Sequence, residues 1–270
     1  WRDLVDSLDG GRPVYGLMPA TSTEVTDLRE LAASLVAALV AWQPEGPYHL
    51  AGYSFSAALA LEMAQQLRSA GREVGVLAMI DYGPGHMGTV SRLRMTGWFL
   101  RNLPHWIRYD LLASDSPPLW QRLRRKLAAA YRRREGGEQT ASSQQAAKAM
   151  DGMFGKDALP ESLRAVMTSQ LAAFFAYRPQ KWDGEVLLLF ARCRPLTHSL
   201  LPDLGWSTFA ARHRRVVVAC NHDNILQPPH VRAVAAALDE ALNRAGSAGP
   251  SGETPRCPER PASRRSNPSR

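Results

Sequence analysis

No run of apolar residues in this 270-residue sequence approaches the ~20 that a membrane-spanning helix needs, and no stretch has a signal-peptide pattern. The sequence is also poor in cysteine. Its three cysteines, Cys193, Cys220 and Cys257, are odd in number, and their spacing matches no metal-binding motif. We therefore expect a soluble, cytoplasmic protein with free thiols and no metal site.

The sequence lacks a nucleic-acid-binding motif, although its formal net charge of +8 suggests such a partner at first sight. The excess of arginine is concentrated in two places, residues 92–134 and residues 256–270. We interpret the arginines of residues 92–134 as the solvated faces of helices, and we exclude nucleic acid as a partner. The tail, residues 246–270, has almost no apolar residues to bury, so we expect it to be disordered and basic.

The most informative stretch covers residues 47–81. A short apolar run from Tyr48 breaks at Gly-Tyr-Ser-Phe-Ser into a long segment of small and apolar residues, which predicts a strand, a tight turn and a helix. A serine at such a turn is typical of a nucleophile elbow, whose strained corner lifts the hydroxyl above the carboxyl end of a parallel sheet. Ser54 is therefore the predicted nucleophile. Gly52 allows the close approach of strand and helix, whereas Ser56 stands where glycine is usual.

Two more polar residues follow predicted strands. Residues 72–80 have the pattern of a buried strand, and Asp81 stands where that strand ends. His222 follows a second apolar run, residues 215–219, in a loop before an amphipathic helix. Functional groups of a parallel sheet collect at the carboxyl ends of its strands, so we expect Asp81 and His222 to lie near Ser54.

A resemblance to a known family rests on three segments: Pro-Glu-Gly-Pro-Tyr-His-Leu-Ala-Gly-Tyr-Ser-Phe, then Leu-Glu-Met-Ala-Gln-Gln-Leu-Arg-Ser-Ala-Gly-Arg-Glu-Val, then the strand ending in Asp81. They resemble the thioesterase domain of nonribosomal peptide and polyketide synthetases. The resemblance covers most of residues 1–85 and resumes over about residues 177–242. It implies an α/β-hydrolase fold, which is an α/β fold with a mostly parallel sheet and a helical lid insertion.

The resemblance also implies an activity, the release of an acyl or peptidyl chain from the phosphopantetheine arm of a carrier protein, without a bound cofactor. Ser54 would be the nucleophile, Asp81 the acid and His222 the base, in the chain order of this fold, with the backbone N–H of Phe55 as an oxyanion donor. Asp203 is the alternative acid, because single-domain editing thioesterases carry theirs after a later strand. We find no counterpart of the family's first strand and its His-Pro-x-Gly-Gly loop, which supplies a second oxyanion donor, so we expect a poor catalyst.

The pattern of apolar residues along the rest of the sequence predicts which segments form the core and which form the lid. Residues 1–85 and 179–245 would form the two parts of the hydrolase core, with residues 86–178 as the lid. Further predicted elements are a strand at residues 12–18, a strand at residues 185–191 and helices at residues 1–8, 26–41, 98–111, 119–131, 163–177 and 230–242. The aromatic residues Trp98, Phe99 and Trp106 on the first lid helix are candidates for lining a substrate channel, although packing of the lid is the commoner use of such a stripe.

Two alternatives stay open. A general carboxylesterase of the same fold would carry the same three residues. A hydrolase-fold remnant that only binds is favoured by Ser56 and by the missing counterpart of the first loop. The sequence also leaves open the identity of the acyl chain and the choice between hydrolysis and cyclisation.

Overall fold

The computed structural model describes residues 1–19, 27–84, 92–111, 146–147, 150, 160–193 and 203–247. Four strands form the sheet: β1 (Tyr48–Tyr53), β2 (Val74–Ile80), β3 (Trp182–Cys193) and β4 (Ala210–Asn221). The helices are α1 (Arg2–Ser7), α2 (Leu28–Trp42), α3 (Phe55–Ser69), α4 (Arg92–Trp106), α5 (Glu161–Ala176), α6 (Trp206–Phe209) and α7 (Val231–Ser247).

The four strands are parallel and lie in the order β1-β2-β3-β4. Tyr53 at the end of β1 pairs with Ile80 at the end of β2, and Ile80 pairs with Leu189 of β3. Their aligned carboxyl ends form one edge of the sheet, where loops meet. Residues 187–191 of β3 are fully apolar and buried, as expected for a central strand covered on both faces.

Helices cover both faces of the sheet. The face formed by α2, α3 and the end of α5 buries one apolar cluster, and α1 and α7 bury a second cluster on the other face. Within the first cluster, Glu62 of α3 is buried, and it accepts a hydrogen bond at 2.7 Å from the Tyr177 hydroxyl, just after α5. This bond ties the helix that follows Ser54 to the end of α5.

The strand predicted for residues 12–18 is wrong. Residues 13–19 are neither helix nor strand, and Val14, Tyr15, Leu17 and Met18 are 40% to 83% exposed. A short apolar segment forms a strand only where a sheet lies beside it, and this segment is not among the four paired strands of the described residues. Instead, Tyr15 packs edge-on against Trp42 of α2, with their ring centroids 5.6 Å apart.

The first lid helix forms, and Pro104 does not end it. Helix α4 continues past Pro104 to Trp106, and a π-helical turn follows at Ile107–Leu111. Proline removes a backbone donor and crowds the preceding turn, which agrees with irregular winding close by. The helix predicted at residues 119–131, most of the predicted lid and residues 248–270 of the tail lie outside the described residues. No described helix is both long enough and apolar enough to cross a membrane.

Candidate active site

Ser54 occupies the sharp corner between β1 and α3. Its backbone has φ 53° and ψ −117°, a region that residues with a side chain rarely adopt. Such strain is worth about 1–3 kcal/mol and is concentrated at functional sites in proteins. Gly52 makes the corner possible, because a Cβ there would lie 2.3 Å from the carbonyl oxygen of Ser56 and 2.4 Å from the Cα of Ala57.

Ser56 has a local role that explains its presence in place of glycine. Its hydroxyl donates to the carbonyl of Tyr53 at 2.9 Å and accepts from the N–H of Tyr53 at 2.9 Å. The side chain therefore clamps the last residue of β1 from the first turn of α3. Because the serine satisfies two backbone groups, the departure from glycine at this position is compatible with an intact elbow.

Asp81 lies at the end of β2, one strand away from Ser54. Its backbone also has a positive φ of 48°, and its N–H donates to the carbonyl of Leu189 at 2.8 Å. Oδ1 accepts from the backbone N–H of Ala191 at 3.1 Å, and Oδ2 lies 2.6 Å from Nδ1 of His222. The carboxyl group is 4% exposed. The structure thus brings together the two side chains that the sequence placed at the ends of different strands.

His222 begins a short 3₁₀ turn, His222–Asn224, directly after β4. Asn221 and Asn224 cap this turn reciprocally, since the side chain of each accepts from the backbone N–H of the other at 3.1 and 2.9 Å. The Asn221 side chain also donates to the carbonyl of Tyr109 in the π-helical turn at 3.0 Å. The loop that carries His222 is therefore held both by its own cap and by the lid.

Two cysteine side chains lie near the strand ends that carry this cluster. Cys193 and Cys220 are buried near the ends of β3 and β4, and neither forms a disulfide among the described residues, while Cys257 lies outside them. Burial, then the charges of Asp81 and Cys193, raise the pKa of Cys220 to about 12. A thiol so far from ionisation is a poor nucleophile. Among the described residues, no group of histidine, cysteine and carboxylate side chains is arranged to hold a metal ion.

Asp203, the alternative acid, forms hydrogen bonds with the backbone at the start of α6. Its two carboxylate oxygens accept from the backbone N–H groups of Gly205 at 3.1 Å and Ser207 at 2.7 Å, at the start of α6. Burial raises the pKa of Asp203, but these hydrogen bonds outweigh it, and the pKa lies below its ordinary value. The geometry favours a capping function for Asp203 and leaves Asp81 as the carboxylate bonded to His222.

The lid approaches the site from two sides. Phe174 of α5 packs against Phe55, the first residue of α3, with ring centroids 5.6 Å apart, and against Tyr82 at 6.2 Å. The other side is α4, where Nε2 of His105 lies 2.6 Å from Nη2 of Arg192, which directly follows Ala191 on β3. The two contacts place parts of the lid above the carboxyl edge of the sheet.

The three aromatic candidates for a substrate channel all lie on α4. Phe99 is 38% exposed and Trp106 is half-buried, while only the backbone of Trp98 is described. Their place on the lid is compatible with a channel wall. The channel role stays a prediction.

With this geometry established, comparison with known proteins places the chain. The sequence profile of the thioesterase domain family matches residues 12–242. The chain belongs to the thioesterase domain family. The resemblance recognised from the sequence is therefore confirmed, and with it the prediction of a thioesterase at the level of the family.

Relatives of this thioesterase domain are parts of much larger proteins. Chondramide synthase of Chondromyces crocatus is 37% identical over 91 residues, which are 33% of this chain and 2% of the synthase. A non-reducing polyketide synthase of Hypomyces subiculosus is 27% identical over 251 residues, 86% of this chain and 12% of that protein. The chain therefore spans a small fraction of the length of the curated relatives that it matches.

A solved structure supports the fold. A holo four-domain nonribosomal peptide synthetase bound to AMP and glycine is similar to 88% of this chain, with a TM-score of 0.56 and 25% identity, and the similarity covers 18% of that synthetase. The predicted α/β-hydrolase fold with a parallel sheet is confirmed.

Proposed function

We propose that this thioesterase domain releases an acyl or peptidyl chain from a phosphopantetheinyl carrier protein through a covalent ester on Ser54. The observation that carries the proposal is the 2.6 Å contact between His222 and Asp81, formed one strand away from a serine with a strained backbone. A base oriented by a carboxylate next to an elbow serine is the arrangement that serine acyl transfer requires. Family membership supports a thioester as the bond that is cleaved.

The proposed chemistry begins with a proton transfer. Nδ1 of His222 faces Asp81, which leaves Nε2 to take the proton from the Ser54 hydroxyl. The serine oxygen attacks the thioester carbonyl, the C–S bond breaks, and the imidazolium returns its proton to the departing pantetheine sulfur. Water or a nucleophile within the acyl chain then attacks the serine ester, giving a free acid or a ring. Asp81 holds the required tautomer and stabilises the charged imidazole.

The proposed oxyanion donor is the N–H of Phe55. Phe55 is the first residue of α3, and amides in the first helical turn have no acceptor within the helix. They also lie at the positive end of the helix dipole, where developing negative charge is stabilised. The elbow therefore presents the nucleophile and a donor for the oxyanion on consecutive residues.

A comparison of two substrates tests the function. One acyl group is supplied as a thioester on a holo carrier protein and as a small oxygen ester. We expect kcat/KM to be higher on the carrier-bound thioester by at least about tenfold, the ratio given by about 1.4 kcal/mol of additional transition-state binding. Steady-state rates on the folded domain, with folding checked by circular dichroism, provide the measurement.

Preference for the oxygen ester would overturn the proposal in favour of a carboxylesterase. Absence of turnover on both substrates, with no acyl adduct on the protein by intact mass, would overturn it in favour of a binding module.

The proposed carrier has a candidate docking surface on α4 and the π-helical turn that follows it. Arg101 and Arg108 are exposed, and Arg192 donates to His105 between them. Burial and then the charges of Arg192, Arg101 and Arg108 lower the pKa of His105, as expected for an imidazole close to several guanidinium groups. Carrier proteins in these assembly lines are generally acidic, and complementary charge mainly raises the rate of encounter. Arg92 and Arg94 lie on the same helix, although their side chains are outside the description.

Reversing two of these charges tests the surface. We expect Arg101→Glu with Arg108→Glu to lower kcat/KM on carrier-bound substrate about tenfold in low salt, because steered encounter is lost. The difference should shrink at 0.1 M salt, where the screening length is about 10 Å. The rate on an acyl-pantetheine thioester without a carrier should be unchanged.

A control variant distinguishes an effect of charge at this surface from an effect of the net charge of the protein. Arg232→Glu with Arg244→Glu makes the same change in net charge on α7, which covers the sheet face opposite α3. This control should keep the carrier-dependent rate. Equal losses in both double variants, or equal losses on both substrates, would show that Arg101 and Arg108 are ordinary solvated surface.

A further inference from the structure

Tyr53, the residue before Ser54, makes two contacts with His222. Its ring is stacked on the imidazole, with centroids 4.9 Å apart and planes inclined by 28°. Its hydroxyl donates to the backbone carbonyl of His222 at 2.7 Å. One side chain therefore holds both the ring face and the main chain of the same histidine, while Asp81 holds Nδ1.

The order of the strands separates the two residues that Tyr53 connects, Ser54 and His222. His222 follows β4 at one edge of the described sheet, and Ser54 follows β1 at the other edge. Three strand spacings of about 4.8 Å each, roughly 14 Å in all, therefore separate the two strands. Asp81, at the end of the neighbouring strand β2, fixes one nitrogen of the imidazole, and the N–H of Ser54 donates to the carbonyl of Ile80 just before it. Tyr53 belongs to β1, and Ser56 clamps its backbone on both sides. The contact thus connects the two distant strands directly.

We propose that Tyr53 is a positioning residue, which sets the plane of the His222 imidazole relative to Ser54. The inference rests on the proposed function of His222 as the base that serves Ser54. With Asp81 alone, the ring keeps its tautomer but is free to tilt about the Nδ1 contact. The stacked phenol removes this freedom, and the hydroxyl prevents the 3₁₀ turn from lifting away from the sheet.

The electrostatics agree with this assignment. Burial, followed by the charges of Asp223 and Asp81, raises the pKa of Tyr53 above its ordinary value. The phenol therefore remains protonated and keeps its hydrogen bond to the His222 carbonyl. The face of an aromatic ring is also favourable for a nearby cation, so the same stack stabilises the imidazolium that forms when the serine proton is taken.

Two variants separate the functions of ring and hydroxyl. Tyr53→Phe keeps the stack and loses the hydrogen bond, and we expect kcat to fall up to about tenfold, the rate equivalent of one net hydrogen bond. Tyr53→Leu loses both, and we expect kcat to fall on the order of 10²-fold, as misplacement of a catalytic group does. KM on an acyl-pantetheine thioester should stay within about twofold in both variants, since positioning affects the transition state rather than substrate binding.

Tyr48 provides the matched control. It lies at the other end of β1, and its hydroxyl also donates to a backbone carbonyl, that of Gln43, at 2.7 Å. Tyr48→Phe should keep kcat even if it lowers stability. A loss of kcat in Tyr48→Phe equal to that in Tyr53→Phe would overturn the inference, because any phenol on β1 would then have the same effect.

Two readouts do not depend on the thioester substrate. The first is the rate at which a fluorophosphonate labels Ser54, which should fall in the order wild type, Tyr53→Phe, Tyr53→Leu. The second is the ring-proton NMR signal of His222 in histidine-labelled protein, assigned by its loss in His222→Ala. The ring current of the stacked phenol shifts this signal, so it should move in Tyr53→Leu and stay near its position in Tyr53→Phe.

These readouts separate the two proposals. A wild-type protein that is labelled but does not cleave thioester contradicts the proposed function alone, and Tyr53 is then judged by the labelling rates. If the wild type is not labelled, the NMR signal decides. An unmoved His222 signal in Tyr53→Leu, or a change confined to KM, overturns the positioning role.

Discussion

Ser54→Ala is expected to lower kcat on the order of 10⁶-fold, the effect of removing the nucleophile from a serine hydrolase whose other parts are intact. The side chain of Ser54 makes no capping hydrogen bond to α3, so its removal leaves the helix start as it was. The backbone keeps its positive φ, and the melting temperature should be nearly unchanged. Intact-protein mass spectrometry should find an acyl or fluorophosphonate adduct on the wild type and none on the variant.

Ser56→Ala is the matched control for this substitution, since it removes a second serine hydroxyl two residues away. That hydroxyl bonds the backbone of Tyr53, so the variant should lose about 1 kcal/mol of unfolding free energy in urea. It should still carry the adduct. An adduct on Ser54→Ala, or its absence from a folded Ser56→Ala, would remove Ser54 from the proposed mechanism.

The sequence predicts most of this sheet because burial leaves a clear pattern. β1 and β2 are short apolar runs ending at a polar residue, and both strand ends were located within two residues. β4 was predicted to begin at Arg215 but begins at Ala210. Residues 211–215 of this edge strand are largely exposed, so they lack the apolar character by which a buried strand is recognised.

The candidate site was predictable only in part. Asp81 and His222 end their strands, and the rule that functional groups collect at the carboxyl edge of a parallel sheet brings them together. The contacts of Tyr53 with His222 were missed, because they join strands at opposite edges of the described sheet and depend on the path of a loop. The one available signal was its position in Gly-Tyr-Ser, next to the predicted nucleophile.

The second site residue missed from the sequence is Ala191, which acts through its backbone. Its N–H donates to Oδ1 of Asp81, and a backbone donor leaves no trace in the residue type. Trp206 is a similar case, since its buried indole N–H donates to the carbonyl of Tyr82 at 2.8 Å and supports the chain just after Asp81. Such supports depend on which loops meet in three dimensions, and one-dimensional patterns do not record this.

Asp81→Asn is expected to lower kcat about 10⁴-fold with little change in KM, because the side chain accepts two hydrogen bonds and the amide has only one oxygen. If the amide oxygen faces Ala191, the NH₂ group faces Nδ1 of His222 and selects the tautomer that cannot take the serine proton. If the amide is flipped, two N–H donors face each other at a buried site, which costs about 1–3 kcal/mol. Either orientation loses the carboxylate charge that stabilises the imidazolium, so kcat falls in both, and urea unfolding distinguishes them.

Asp203→Asn makes the same chemical change at the alternative acid. The asparagine amide keeps one carbonyl oxygen, so one of the two N–H groups at the start of α6 keeps its acceptor. We therefore expect kcat to stay within about threefold of wild type, with at most about 1 kcal/mol of lost stability. Rates of fluorophosphonate labelling, which need no carrier protein, should show the same contrast between the two variants. Equal losses of kcat in both would return the assignment of the acid to Asp203, and an undiminished rate in Asp81→Asn would remove the carboxylate from the mechanism.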